Sequence, residues 1–149
     1  MNVQKRETAT YVLSGLEELD PVTVYVTNYG EGVGKLVVEC YGEAWAAAWS
    51  AMGEKTLERF VLSCDEDYLL NSLLKRTVET DYEALCAAAG ARGLDLCVTS
   101  DVEVAQRVDD LASCFGEDWY MDLPTCPTAE YHHLRRILEA VKRAFSEEL

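Results

Sequence analysis

Two strand-like segments on either side of a glycine-rich turn constrain the fold of this chain most. In residues Val22 to Thr27, valine alternates with threonine and tyrosine, and Lys35 to Tyr41 alternate in the same way. A period of two is typical of a half-buried strand. Residues 28–34 hold three glycines and join the two segments, so the pattern predicts an antiparallel hairpin. The predicted inward-facing residues are Val22, Val24, Val26, Leu36, Val38 and Cys40.

Three shorter patterns complete the first half. Residues 10–13 are compatible with either a strand or a short helix. Glu43–Met52 is rich in alanine, and its large residues recur at helical spacing, which predicts a helix. Leu57–Cys64 predicts a third strand, and Asp65–Asp67 opens a helix that continues to Leu74. The predicted core residues are Trp45, Ala48, Trp49 and Met52 in the first helix, and Phe60 and Leu62 in the strand.

The second half has the signals of helices. Capping boxes at Thr80–Glu83 and Ser100–Glu103 predict one helix that ends near Ala89 and a second that ends at Gly116. Residues 117–128 hold two prolines and predict a loop. A final helix is predicted from Ala129 to Ser146.

These elements define the expected fold class, which is α+β. A small antiparallel sheet in the N-terminal half would pack with helices, and the C-terminal half would be helical. A length of 149 residues fits one domain, 1–149, with a β-rich subregion at 1–76 and a helical subregion at 77–149. The sequence contains neither an export signal nor an apolar run long enough for a bilayer. We therefore expect a cytoplasmic protein with no membrane partner.

The charge is strongly negative and unevenly distributed. Asp and Glu number 27 against 13 Lys and Arg, for a net charge of −14. Residues 77–129 hold eleven of these acids and only two bases, Arg92 and Arg107. Such a surface disfavours direct binding to nucleic-acid phosphates and favours a partner with a basic surface. The alternative is that the acids only keep the protein soluble.

A candidate partner-binding surface follows from this segment. Trp119 and Tyr120 lie in the predicted loop beside acidic residues, and aromatic side chains surrounded by charge are typical interface anchors. For Trp119, the alternative is that its ring fills the core. The candidate residues are Asp101, Glu103, Asp109, Asp110, Glu117, Asp118, Trp119, Tyr120 and Asp122.

The final helix offers a second candidate surface. Its apolar residues recur at steps of three and four, which is the spacing of a coiled-coil seam. Packing within the same domain is one interpretation, and contact with a second copy, as a homodimer, or with a partner is the other. The second interpretation gives an alternative function, that of a self-associating structural protein without enzymatic activity. The seam residues are Tyr131, Leu134, Leu138, Val141 and Phe145.

No motif in the chain predicts catalysis, a metal site or a cofactor. Gly30–Lys35 looks like a phosphate-binding loop, but the residue after Lys35 is leucine and a strand follows instead of a helix. We interpret it as the hairpin turn.

The cysteines and histidines are the other residues that could carry chemistry. The six cysteines, none at CxxC spacing, are expected to be buried free thiols. His132 and His133 are expected at the surface. A further hypothesis about function is an enzyme of unrecognised type that uses these histidines with Cys126.

The first half of the chain resembles a family of small accessory proteins from temperate phages and prophages of Gram-negative bacteria. The resemblance is carried by Val24–Tyr29, Gly34–Trp45, Trp49–Gly53, Phe60, Cys64–Asp65 and Tyr68–Leu69. It implies no activity and no functional residues. It does imply a setting in a bacterial host cell, where acidic phage proteins of this kind often inhibit host defence, as anti-CRISPR proteins do. The expected partner is then a host protein or ribonucleoprotein with a basic surface, such as a CRISPR effector.

Overall fold

The N-terminal half folds into one four-stranded antiparallel sheet. The structure is a computed structural model that describes residues 1–149. The strands follow each other in the order β1-β2-β3-β4, so each pairs with its neighbour in the chain. The predicted hairpin is confirmed as β2 and β3, and residues 10–13 belong to a strand. The strands are β1 (Ala9–Leu13), β2 (Val22–Gly30), β3 (Val33–Cys40) and β4 (Glu43–Trp49).

Six helices and one further pair of short strands complete the chain, which confirms the α+β class. The strands β5 (Val78–Thr80) and β6 (Thr125–Pro127) pair with each other antiparallel. No helix combines the length and the apolar composition that crossing a membrane requires. The helices are α1 (Leu57–Ser63), α2 (Glu66–Leu73), α3 (Tyr82–Ala91), α4 (Asp101–Ala105), α5 (Val108–Phe115) and α6 (Ala129–Glu148), and residues Trp119–Met121 form a short 3₁₀ helix.

The chain divides into two compact units. One, the sheet unit, consists of residues 1–77 and 129–149. The other, the acidic unit, consists of residues 78–128. The final helix α6 therefore belongs with the N-terminal strands, not with the helices that precede it in sequence. That the whole chain is a single domain stays a prediction.

The core of the sheet unit lies between one face of the sheet and three helices. The predicted inward-facing residues of β2 and β3 are buried as expected. The helices α1, α2 and α6 cover this face, each with its apolar side. They contribute Leu57, Val61, Leu69, Leu70, Leu73, Leu134, Ile137, Leu138, Val141 and Phe145.

The helix predicted over Glu43–Met52 is wrong, because residues Glu43–Trp49 form strand β4. Trp45 lies opposite Val38 of β3, and Trp45 and Trp49 face the core as predicted. Ala48, also predicted in the core, is exposed, because it points to the opposite side of the strand. Trp45 and Trp49 are four positions apart, which suits one face of a helix and one face of a strand equally well. The edge of β3 provides hydrogen-bond partners that outweigh the helix preference of alanine.

The strand predicted over Leu57–Cys64 is also wrong, because Leu57–Ser63 form helix α1 and Cys64 is its C-cap. Thr56 caps it, with its side-chain oxygen accepting a hydrogen bond from the Arg59 backbone N–H. Leu57 and Val61 are buried one helical turn apart. Phe60 and Leu62, predicted to face the core together, are each half-buried on this helix.

In the acidic unit, the predicted helices are present but differ at their ends. Asp81, not Thr80, caps α3. The helix predicted from Ser100 to Gly116 breaks at Gln106 and Arg107 into α4 and α5. The predicted loop 117–128 contains the 3₁₀ helix and β6. A small separate core holds the unit together, formed by Leu85, Ala89, Leu96, Val98, Val104 and Leu111.

The seam predicted on the final helix lies in the core of the sheet unit. Leu134, Leu138, Val141 and Phe145 are fully buried, and Tyr131 is half-buried. The Phe145 ring meets the Tyr11 ring edge to face, with 5.2 Å between the ring centroids. Packing within the same unit therefore accounts for the apolar repeat, and only Tyr131 is left partly accessible.

The glycine-rich segment is the turn of the β2–β3 hairpin, as expected. Gly32 has a φ of +70°, and the Met52 backbone N–H donates a 2.9 Å hydrogen bond to its carbonyl oxygen. A Cβ at Gly32 would lie 2.4 Å from the carbonyl oxygen of Gly53. Glycine is therefore required at position 32 for two reasons. It allows the positive φ, and it allows the chain after β4 to approach the turn closely.

Gly32→Ala should destabilise the sheet unit more than Gly15→Ala. Both glycines have nearly the same positive φ, so each alanine pays a left-handed penalty of about 1–2 kcal/mol. Only at position 32 does the new methyl group meet backbone, and that clash should add about 1–3 kcal/mol. Urea unfolding of the two variants measures the difference, and equal losses would show that the turn does not pack on Gly53.

Phe145→Ala should lower the free energy of unfolding by about 3–5 kcal/mol, because the ring fills a packed core. Ser146→Ala, the adjacent exposed position on the same helix, is the control and should change stability little. Guanidinium unfolding gives both values, and analytical ultracentrifugation gives the mass. If Phe145→Ala abolished self-association and left the free energy of unfolding unchanged, the seam would instead be an interface between two copies of the chain.

Candidate functional site

The structural boundary of the acidic unit coincides with the charge boundary in the sequence. Residues 78–128 hold eleven acids and two arginines, for a net charge of −9. The sheet unit holds the remaining 16 acids and 11 bases, for −5 over nearly twice as many residues. All nine predicted partner-binding residues lie in the acidic unit.

The two ends of the acidic unit are tied together by its own backbone. Val78, Glu79 and Thr80 of β5 lie opposite Pro127, Cys126 and Thr125 of β6. The ladder is extended by the Asp81 backbone N–H, which donates a 2.8 Å hydrogen bond to the Pro124 carbonyl oxygen. The unit is thus an insertion in the chain between α2 and α6 whose entry and exit strands pair.

Both arginines of the unit are occupied by internal contacts. The Arg92 guanidinium lies 4.8 Å from the centroid of the Phe115 ring and donates a 3.2 Å hydrogen bond to the Cys114 carbonyl oxygen. The Arg107 Nε lies 2.7 Å from an oxygen of Asp110, and its Nη2 donates to the Asp95 carbonyl oxygen. Only Arg107 is paired with a carboxylate, and both guanidinium groups are held by groups of their own unit.

Four of the eleven carboxylates have partners within the unit. Asp81 caps α3, Asp110 pairs with Arg107, and Asp101 accepts a 2.6 Å hydrogen bond from the Tyr82 hydroxyl. Glu103 accepts hydrogen bonds from the backbone N–H and the hydroxyl of Thr99. The other seven have no hydrogen-bond or ion-pair partner: Glu79, Glu83, Asp95, Asp109, Glu117, Asp118 and Asp122.

The predicted surface therefore separates into two sets. Asp101, Glu103 and Asp110 already stabilise local structure. Asp109, Glu117, Asp118 and Asp122 are exposed and unpaired, so these four carboxylates are free to meet a cation from outside. The structure brings the last three together around the 3₁₀ helix, while Asp109 lies on α5.

The two aromatic candidates have different environments. Trp119 is half-buried and packs against the small core of the unit, as the core-filling alternative expects. Tyr120 is 60% exposed and meets the Trp119 ring edge to face at 6.0 Å. Met121, not considered from the sequence, is 71% exposed beside them. Tyr120 and Met121 are therefore the apolar groups that this end of the unit offers to a partner.

A cleft of about 380 Å³ opens beside Trp119. One wall is helix α3 with its C-cap, which contribute residues Ala84, Leu85, Ala88 and Arg92. The opposite wall is Phe115 and the segment 118–124. The cleft lining includes two of the unpaired carboxylates, those of Asp118 and Asp122. Sequence patterns did not indicate this cleft, because its two walls are about 30 positions apart along the chain and carry no shared motif.

The surroundings of Cys126 disfavour its activation as a nucleophile. Burial, and then Asp81 and Glu79, raise the pKa of the Cys126 thiol, whereas a nucleophilic cysteine needs a lowered pKa. His133 is half-buried with its ring 5.9 Å from that of Trp45, which differs from the predicted surface position, and His132 is exposed. No group of three or more His, Cys, Asp or Glu residues is placed to hold a metal ion.

The burial predicted for the cysteines holds for Cys40 and is wrong for Cys97. Cys40 faces the core of the sheet unit, where burial, and then Asp20 and Glu43, raise the pKa of its thiol. Cys97 is exposed because it lies between buried Leu96 and Val98 in an extended segment, so its side chain points the opposite way. The other four cysteines are half-buried, and all six thiols are free.

A model of a protein family matches nearly the whole chain. The sequence model of Phage_phiTE_072, a phage family, matches residues 1–147, which covers both units. No curated protein and no solved structure matches the chain.

Alkylation of the native protein should modify Cys97 first and Cys40 last. Cys97 is exposed, whereas the Cys40 thiol is buried and its pKa is raised, so less thiolate is available to react. Timed treatment with N-ethylmaleimide followed by peptide mass spectrometry gives the order. The order should vanish in guanidinium, and faster modification of Cys126 than of Cys97 would indicate an activated thiol at position 126.

Proposed function

Since this chain belongs to the phage family Phage_phiTE_072, we propose that it is an accessory protein that inhibits host defence. It would bind a host protein or ribonucleoprotein that handles nucleic acid, in the manner of an anti-CRISPR protein. The acidic unit would occupy a basic surface on that partner, in the bacterial cytoplasm. The sheet unit would carry the acidic unit.

The observation that supports this proposal is the concentration of unpaired negative charge in one compact unit. A net charge of −9 over residues 78–128, with both arginines engaged internally, presents a potential of one sign to an approaching partner. Proteins that bind nucleic acid expose Lys and Arg to its phosphates. Carboxylates can take the place of those phosphates, and complementary charge also raises the rate of encounter.

The exposed groups at the 3₁₀ helix add an anchor to the charge. Tyr120 and Met121 lie beside Glu117, Asp118 and Asp122, so an apolar contact and several ion pairs could form at one place. A partner arginine could also lie over the Tyr120 ring. Interfaces commonly place such aromatic anchors among charged groups.

The proposed function predicts that the protein restores phage growth on a host with active CRISPR immunity. Neutralising the four unpaired candidates, with Asp109→Asn, Glu117→Gln, Asp118→Asn and Asp122→Asn together, should remove most of that protection. Plaque counts on targeting and non-targeting hosts are the measurement. No protection by the native protein on a targeting host rejects the CRISPR version of the proposal.

A matched control separates local charge from total charge. Glu7, Glu31, Glu54 and Glu147 are exposed and unpaired in the sheet unit, so changing all four to glutamine removes the same net charge elsewhere. This variant should keep its protection. Pull-down from host lysate should recover a nucleic-acid-binding protein, and its binding should weaken as salt is raised from 50 to about 500 mM, because salt screens exposed ion pairs. Equal losses of phage protection in the acidic-unit variant and the sheet-unit variant would assign the effect to solubility.

A further inference from the structure

We infer that the cleft beside Trp119 receives the side chain of one arginine from the partner. This inference rests on the proposed function and names the group that the acidic unit recognises. Three properties of the cleft support it: its size, its apolar walls and the charge at its opening.

The walls suit the aliphatic part of a long side chain. Ala84 and Ala88 lie one helical turn apart on α3, and their small side chains leave the space that forms the cleft. Leu85, Leu123 and Pro124 add apolar surface. A volume of about 380 Å³ exceeds what one arginine side chain needs, and it lies within the usual range for ligand sites.

The carboxylates at the cleft outnumber the cations, two to one. Asp118 and Asp122 are on either side of the 3₁₀ helix, both line the cleft, and neither has an ion-pair partner. Arg92 lines the same cleft, but its guanidinium is held by the Phe115 ring and the Cys114 carbonyl oxygen. A cation from a partner can therefore pair with these two carboxylates without displacing an existing ion pair.

The chemistry favours arginine over lysine. A guanidinium is planar and weakly hydrated, so it can stack on the Trp119 ring and pair with a carboxylate at its edge. An ammonium group is strongly hydrated and would lose more on entering apolar walls. The unit already holds one guanidinium on an aromatic ring, that of Arg92 on Phe115.

The three tryptophans provide an internal control for the test. The Trp45 indole N–H donates to Glu130 and the Trp49 indole N–H donates to Tyr68, both in the sheet unit. Titration of ¹⁵N-labelled protein with a blocked tripeptide, acetyl-Gly-Arg-Gly-amide, should shift the Trp119 indole resonance in a saturable way. The other two indole resonances should stay in place. Trp119→Phe assigns the resonance.

Variants separate shape from charge. Asp118→Asn with Asp122→Asn should remove the shift, whereas Asp109→Asn with Glu117→Gln removes the same charge from the same unit and should keep it. Ala88→Leu should fill the cleft and abolish the shift with every carboxylate in place. The remaining amide resonances report whether each variant is folded.

The peptide titration tests the arginine site, and the plaque assay tests the proposed function, so the two can fail separately. The matched lysine tripeptide, acetyl-Gly-Lys-Gly-amide, is the comparison. If it shifts the Trp119 indole resonance as much as the arginine tripeptide does, or if the arginine tripeptide causes no shift, an arginine site is rejected even if the protein protects phage. Protection lost equally in the two double variants also rejects it. If the arginine tripeptide binds as expected but no phage protection is observed, the arginine site stands and the proposed inhibitor function fails.

Discussion

The apolar inner face of the four-stranded sheet must be covered, and the last helix of the chain provides a large part of that cover. Leu134, Ile137, Leu138, Val141 and Phe145 of α6 are all buried against it. Each such side chain contributes about 1.5–3 kcal/mol when fully buried. The sheet unit can therefore form only when the chain returns to it after residue 128. Everything between α2 and α6 becomes an insertion whose ends must meet, and the pairing of β5 with β6 joins them.

The insertion combines a small core with a strongly acidic surface. Its own core has six buried residues, and its surface holds nine more negative than positive charges. Like charges on so small a unit repel each other and oppose its compact state. The capping interactions of Asp81, Ser100 and Glu103 offset part of this cost. A cationic partner would reduce this repulsion further, so binding and folding of this unit should reinforce each other.

The sequence patterns were sufficient where one periodicity was dominant. The β2–β3 hairpin, helix α2 and helix α6 follow their patterns closely, because each has a long face of one kind. Glu43–Trp49 was ambiguous, since Trp45 and Trp49 are four positions apart and alanine has no preference for a face. In Leu57–Ser63, the spacing of Leu57, Phe60 and Val61 was helical, and the Thr56 cap was the signal that decides between the two structures.

Charge and shape have separate parts in the site, and only the charge could be predicted. The position of the acids is a property of the sequence, so the segment 77–129 and the unit 78–128 nearly coincide. The cleft arises because α3 meets the segment after α5, and such a meeting depends on tertiary packing. Charge alone attracts any basic surface and discriminates poorly. A cleft that accepts a guanidinium between alanines and Trp119 adds a steric requirement, so the acids would bring partners close and the cleft would select among them.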